Sequence, residues 1–149
     1  MKNVNAYTGP QRFAHRGLVQ AAPENTLGAF QGAVDGGYEG IEIAVQMTRD
    51  GEIQLLATLP KLVMGQVEGR DYETALAEDG RMAHLMRFSD FDAWLTAQSR
   101  SITVEVEVKA PGLAGPILEL LSRSPNTGSY ILFSGDPVYV EEMQAAFRK

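Results

Sequence analysis

The chain has 149 residues, a formal net charge of −6 and no cysteine. The charge argues against a nucleic-acid partner, because phosphate backbones repel an acidic surface, and the missing thiols exclude disulfides and thiolate metal sites. The length suits one domain with its own core and falls short of the roughly 250 residues of a full (β/α)8 barrel.

In chain order, residues 12–15 (RFAH) read as a short strand. Asn25 or Thr26 caps a helix running to about Asp35, with Leu27, Phe30, Ala33 and Val34 on one face. Gly36-Gly37 stops it. Residues 39–46 alternate as a strand. Asp50-Gly51 is a hairpin turn signal, so residues 52–57 return as an antiparallel arm. Residues 59–82 mix glycines and charges and read as an insertion within a single domain over 1–149. Residues 89–98 open on a Ser/Asp cap and place Phe91, Trp94 and Leu95 on one helical face. A strand (101–108), a helix (115–124) with Pro116 in its first turn, a strand (129–134) and a helix (137–149) complete the pattern.

Four strand-helix units with a hairpin excursion after the second strand predict parallel strands with helical crossovers. In the second strand Ile41, Ile43 and Val45 oppose Glu42, Ala44 and Gln46. Later, Val104, Val106 and Val108 oppose Thr103, Glu105, Glu107 and Lys109. A doubly wound sheet is apolar on both faces. This alternation instead predicts a TIM-barrel-like arrangement, a half or incomplete (β/α) barrel whose polar side faces inward. The opening MKNVNAYTGP holds no apolar run, and no stretch approaches the roughly 20 residues of a membrane span. The expectation is a cytoplasmic protein with no membrane span.

The segments AHRG (14–17), PENT (23–26) and GIEIAVQMTRDG (40–51), the later VEVK (106–109) and YILFSGDP (130–137) together resemble the glycerophosphodiester phosphodiesterases, over about the first half of that family's barrel. The resemblance implies a barrel that hydrolyses phosphodiesters in lipid metabolism, with a divalent cation such as magnesium or calcium. It makes His15 one of two catalytic histidines and Arg16 a phosphate-binding neighbour. It makes Glu42 and Glu107 metal ligands and Lys109 a further substrate contact. It also predicts His15, Glu42 and Glu107 at the C-terminal ends of three neighbouring strands.

Two positions depart from the family pattern. Ala44 replaces an aspartate ligand, and Ala57 replaces the second histidine. A two-residue turn at Asp50-Gly51 sets residues whose numbers add to 101 opposite each other, which pairs Ala44 with Ala57 and erases one patch of the site. Two carboxylates hold a hard cation more weakly than three, and losing a general base removes 10²–10⁴-fold in rate.

Structural readings compete. Arg16 can serve only to tie the first turn through Glu24. Glu107 can belong to a salt-bridge cluster with Lys109, Arg16 or Arg12. His84 reads as a surface or packing residue, and the glycines of 110–116 as a loop. The resulting expectation is a degenerate phosphodiesterase-like protein, catalysis lost or severely impaired. It acts as a binding or structural subunit with no cofactor or a weakly bound divalent cation. The alternatives are an active phosphodiesterase completed by a partner chain, and a purely structural protein. Four units leave open edges, so the partner expected is a second copy or a larger assembly, with a phosphate-containing small molecule as the ligand.

Overall fold

The structure is a computed structural model and describes residues 10–55 and 86–148. The elements are β1 (Phe13–His15), α1 (Leu27–Asp35), β2 (Gly40–Met47), β3 (Ile53–Leu55), α2 (Phe88–Thr96), β4 (Thr103–Val108), α3 (Ala114–Arg123), β5 (Tyr130–Phe133) and α4 (Pro137–Phe147). The strands lie in the order β1-β2-β4-β5, all parallel, and β3 attaches antiparallel to β2. This is an incomplete (β/α) barrel of four units with the hairpin where the sequence placed it. The 59–82 segment, Ala57 and His84 lie outside the described residues.

Local chemistry sets the boundaries. Of the two candidate caps, Thr26 serves: its Oγ1 accepts from the Ala29 backbone N–H at 3.3 Å, while Asn25 is left-handed at φ 53°. The far end of α1 closes on paired bonds, Gly37 N–H to Val34 O (3.1 Å) and Tyr38 N–H to Ala33 O (3.0 Å). Gly37 at φ 76° takes the left-handed position between them. Leu27, expected on the buried face, is 42% exposed at the helix start. α2 begins at Phe88, so Ser89 and Asp90 fall inside its first turn rather than capping it, and Arg87 holds the cap position with its side chain making no capping bond. Asp136 caps α4 by accepting from Val138 N–H at 2.9 Å.

The hairpin corrects the expected register. Val45 faces Leu55, Gln46 faces Gln54 and Met47 faces Ile53, so paired numbers add to 100. The loop is three residues, Arg49 to Gly51. Gly51 N–H donates to Thr48 O (3.0 Å) and Thr48 N–H to Glu52 O (2.9 Å), with Gly51 at φ 85°. That is a type I turn closed by a left-handed glycine. The described rungs therefore do not carry the expected pairing of Ala44 with position 57.

The two sheet faces divide as the alternation predicted. Ile41, Ile43 and Val45 stand in register with Val104, Val106 and Val108, all buried against the helices. Phe30 of α1 meets Phe91 of α2 edge-on at 5.1 Å between ring centres, with Trp94 at 5.6 Å from Phe91. Such aromatic pairs add to plain area burial. The opposite, concave face carries the charged residues.

Candidate functional site

The concave face is built in rows. His15, the last residue of β1, stands in register with Glu42 of β2, and Glu42 with Glu105 of β4. One row further along, Ala44 stands beside Glu107, and Glu107 beside Phe133 of β5. The sheet thus brings His15, Glu42 and Glu107 to one face of three neighbouring strands. His15 and Glu107 lie at the C-terminal ends. Glu42 is only the third residue of β2, because β2 runs on past the parallel sheet to form the hairpin.

His15 projects outward, its side chain 64% exposed, with Nε2 3.3 Å from Glu42 Oε1. The turn behind it is tightly specified. Arg16 (φ 58°) and Gly17 (φ 88°) are both left-handed. Arg16 N–H donates to Glu42 O (2.8 Å), and Asn25 N–H donates to Arg16 O (2.9 Å). A Cβ on Gly17 would come within 2.7 Å of the Ala29 carbonyl carbon, so glycine lets α1 dock here. The Arg16 guanidinium turns back to Glu24, Nη1 to Oε2 at 2.9 Å. His, Arg and Glu around one turn therefore do two jobs: the backbone turn aims His15, and Glu24 neutralises the arginine.

The three cations weighed for Glu107 separate cleanly. Lys109 Nζ takes Glu107 at 3.0 Å, Arg16 goes to Glu24, and Arg12 goes to Glu39. Glu39 accepts the Arg12 backbone N–H at 2.7 Å, and that bond leads the causes that hold its carboxyl below the usual range. Glu105 is different. No cation meets it among the described residues; burial, then the charge of neighbouring Glu42, pushes its carboxyl up.

The described residues by themselves assemble no site for a divalent cation. Among the described residues no three His, Asp or Glu side chains converge as ligands. Glu42 and Glu107 lie in different rows, engaged by His15 and Lys109, and the position beside Glu107 is a buried alanine with no donor atom.

Two features escaped the sequence reading. Gln46 and Gln54 are both buried, and among the described residues Gln46 Nε2 and both Gln54 amide atoms have no hydrogen-bond partner. Their pairing was readable only once the loop is counted as three residues. At the far side of the sheet, Asp92 Oδ1 accepts from Ser124 Oγ (2.7 Å), Asn126 Nδ2 (2.8 Å) and Tyr130 OH (2.6 Å). Burial, then the bond to Asp92, pushes the tyrosine hydroxyl well above its usual range. No spacing signal marked this cluster, whose members come from α2, the α3–β5 connection and β5.

Residues 15–56 match the Glycerophosphoryl diester phosphodiesterase family. The uncharacterized protein YqiK of Bacillus subtilis is 27% identical over 126 residues, covering 74% of this chain and 52% of YqiK. A glycerophosphodiester phosphodiesterase of Bacillus altitudinis is 48% identical over 44 residues, 30% of this chain and 18% of that protein. Among solved structures, the glycerophosphodiester phosphodiesterase of Agrobacterium tumefaciens superposes with a TM-score of 0.76 at 20% identity, over 94% of this chain and 64% of that one. The phosphodiesterase-type fold thus extends beyond the family match to nearly the whole chain. The chain spans about half the length of YqiK.

Proposed function

We propose that this chain is a degenerate phosphodiesterase-family subunit, with hydrolysis lost or severely impaired, that serves as a binding or structural component. The observation that carries the reading is Ala44: it stands directly beside Glu107, in the same strand as Glu42, where the family pattern has a carboxylate. Support also comes from the ion pairs. Arg16 and Lys109, the two groups proposed to meet a phosphate, are each held by a glutamate within about 3 Å, so a phosphate would have to compete for both. A divalent cation, magnesium or calcium, is at most weakly held. The unpaired outer edges of β1 and β5 among the described residues leave room for further strands, from the same polypeptide or from another. Among the described residues no helix is long and apolar enough to cross a membrane; a cytoplasmic location is part of the proposal.

The test is hydrolysis of a glycerophosphodiester with magnesium or calcium present. Background rates are expected, unchanged in His15→Ala. Turnover that disappears in His15→Ala would overturn the reading in favour of an active phosphodiesterase. The exposed His15 beside Glu42 is the feature that supports that second reading, because a histidine oriented by a carboxylate is a competent base.

A further inference from the structure

The sequence offered Asn25 or Thr26 as the cap of α1, and Thr26 takes that role. Asn25 therefore has another task. It is 1% exposed and left-handed at φ 53°, a backbone that is unfavourable for most residues and less so for asparagine. Its N–H donates to Arg16 O at 2.9 Å, while Arg16 N–H donates to Glu42 O at 2.8 Å. The two peptide groups flanking the Arg16 Cα are thus both held, one by Asn25 and the other by β2. His15 immediately precedes this clamp, and its Nε2 stands 3.3 Å from Glu42 Oε1. Glu42 enters the arrangement twice, with its backbone oxygen toward Arg16 and its carboxylate toward His15. Beside Asn25, Glu24 closes on the Arg16 guanidinium at 2.9 Å. An unfavourable backbone held in place next to a candidate base points to a role in the site.

We propose that Asn25 is the positioning residue of this site: by holding the Arg16 carbonyl from a left-handed backbone, it keeps the His15 ring against Glu42. The inference rests on the second reading above, in which His15 and Glu42 form a competent base, and names the residue that maintains the pair. Docking of α1 has its own contacts. Gly17 lets the helix approach Ala29, Leu18 N–H donates to Ala29 O at 2.8 Å, and Thr26 caps the helix. The positioning and packing roles of Asn25 rank substitutions in opposite orders. Alanine keeps the N–H that bonds Arg16 but takes the left-handed backbone with difficulty, whereas glycine adopts it freely. A packing role alone makes glycine the worse replacement, because it leaves the larger void.

The test reads the ring nitrogens of His15 by NMR in the 149-residue chain, at about pH 8, where an ordinary imidazole is neutral. The chain has two histidines, so His84→Gln assigns the His15 signals. A carboxylate at Nε2 favours the tautomer with its proton on that nitrogen, and Glu42→Gln gives the spectrum of the ring without it. Asn25→Ala is expected to move the His15 signals about half-way or more toward that spectrum, and Asn25→Gly to leave them in place. Thr26→Ala, which removes the cap bond, should lower the melting temperature without moving them. Signals that stay in place in Asn25→Ala, while Glu42→Gln moves them, overturn the positioning role and leave the base reading standing. So do signals that Asn25→Gly moves as far as Asn25→Ala does. Signals unchanged in Glu42→Gln would show that the pair does not form, and overturn both. Should Asn25→Ala not fold, Asn25→Ser puts the same strain on the backbone with a polar side chain and is judged by the same outcomes.

Discussion

Ala44 is fully buried and stands beside an ion-paired glutamate. A carboxylate placed there has no cation of its own, and burying an unpaired charge is unfavourable. Ala44→Asp should therefore lower the melting temperature by several degrees without metal. Added magnesium should recover part of the loss, and the unmodified chain should not respond; calorimetric melts with and without the ion check both. Glu105 gives a pH-dependent prediction. Its carboxyl is raised in the fold, so ionisation favours the unfolded chain, and its penalty appears as pH rises through the folded-state value. Glu105→Gln should melt higher than the unmodified chain at pH 7, and the gap should close near pH 3.5, where both forms are neutral. At Gly17 a side chain meets both a left-handed backbone and the Ala29 backbone. Gly17→Ala should cost about 3 kcal/mol, read as a loss of roughly 10 °C in thermal denaturation. The charged positions themselves were legible in the sequence, because strict alternation in β2 and β4 sorted Glu42, Glu105, Glu107 and Lys109 onto one face. The Arg16–Glu24 tie was legible too, because both residues belong to one turn; which of Lys109, Arg16 and Arg12 takes Glu107 was not, since only the folded sheet fixes their distances.

Among the elements, the order of strands and helices was legible because each carried its own periodicity and most carried a stop signal, as at Gly36-Gly37. The errors were local. α2 starts at Phe88, and the ring sits fully in the core; burial of an aromatic outweighs the better capping residue one position later. The lock between α2 and β5 depends on residues far apart in the chain, and Asp92 is its hub. Asp92→Ala removes the carboxylate acceptor of the half-buried Tyr130 hydroxyl and of Ser124 Oγ, while Asn126 Nδ2 keeps Thr96 Oγ1 and the backbone O of residue 92. It should destabilise the fold by about 2 kcal/mol, and Tyr130→Phe in the same background should add little, because the bond is already gone. Denaturant melts of the two single variants and the double variant measure that coupling; full additivity would show that the hydroxyl does not depend on Asp92.

For the whole molecule, β2 and β4 have a strand on both sides, whereas β1 and β5 are edges among the described residues. Hydrogen exchange should follow that order: amides of 41–45 and 104–107 exchange last, those of 13–15 and 130–133 first. Equal protection across all four strands would mean that the edges are already covered in solution. The three-residue loop between β2 and β3 also has a genetic consequence. A strand alternates its faces residue by residue, so the loop length sets a parity. Loss of a single codon from 49–51 would leave the reading frame intact yet shift the pairing by one. Every β3 side chain would change sides: Gln54 would turn toward the helices, and Ile53 and Leu55 toward the concave charges. Length changes at this loop are thus filtered in even steps, and a relative differing there by one residue should carry compensating changes at the positions matching 53–55.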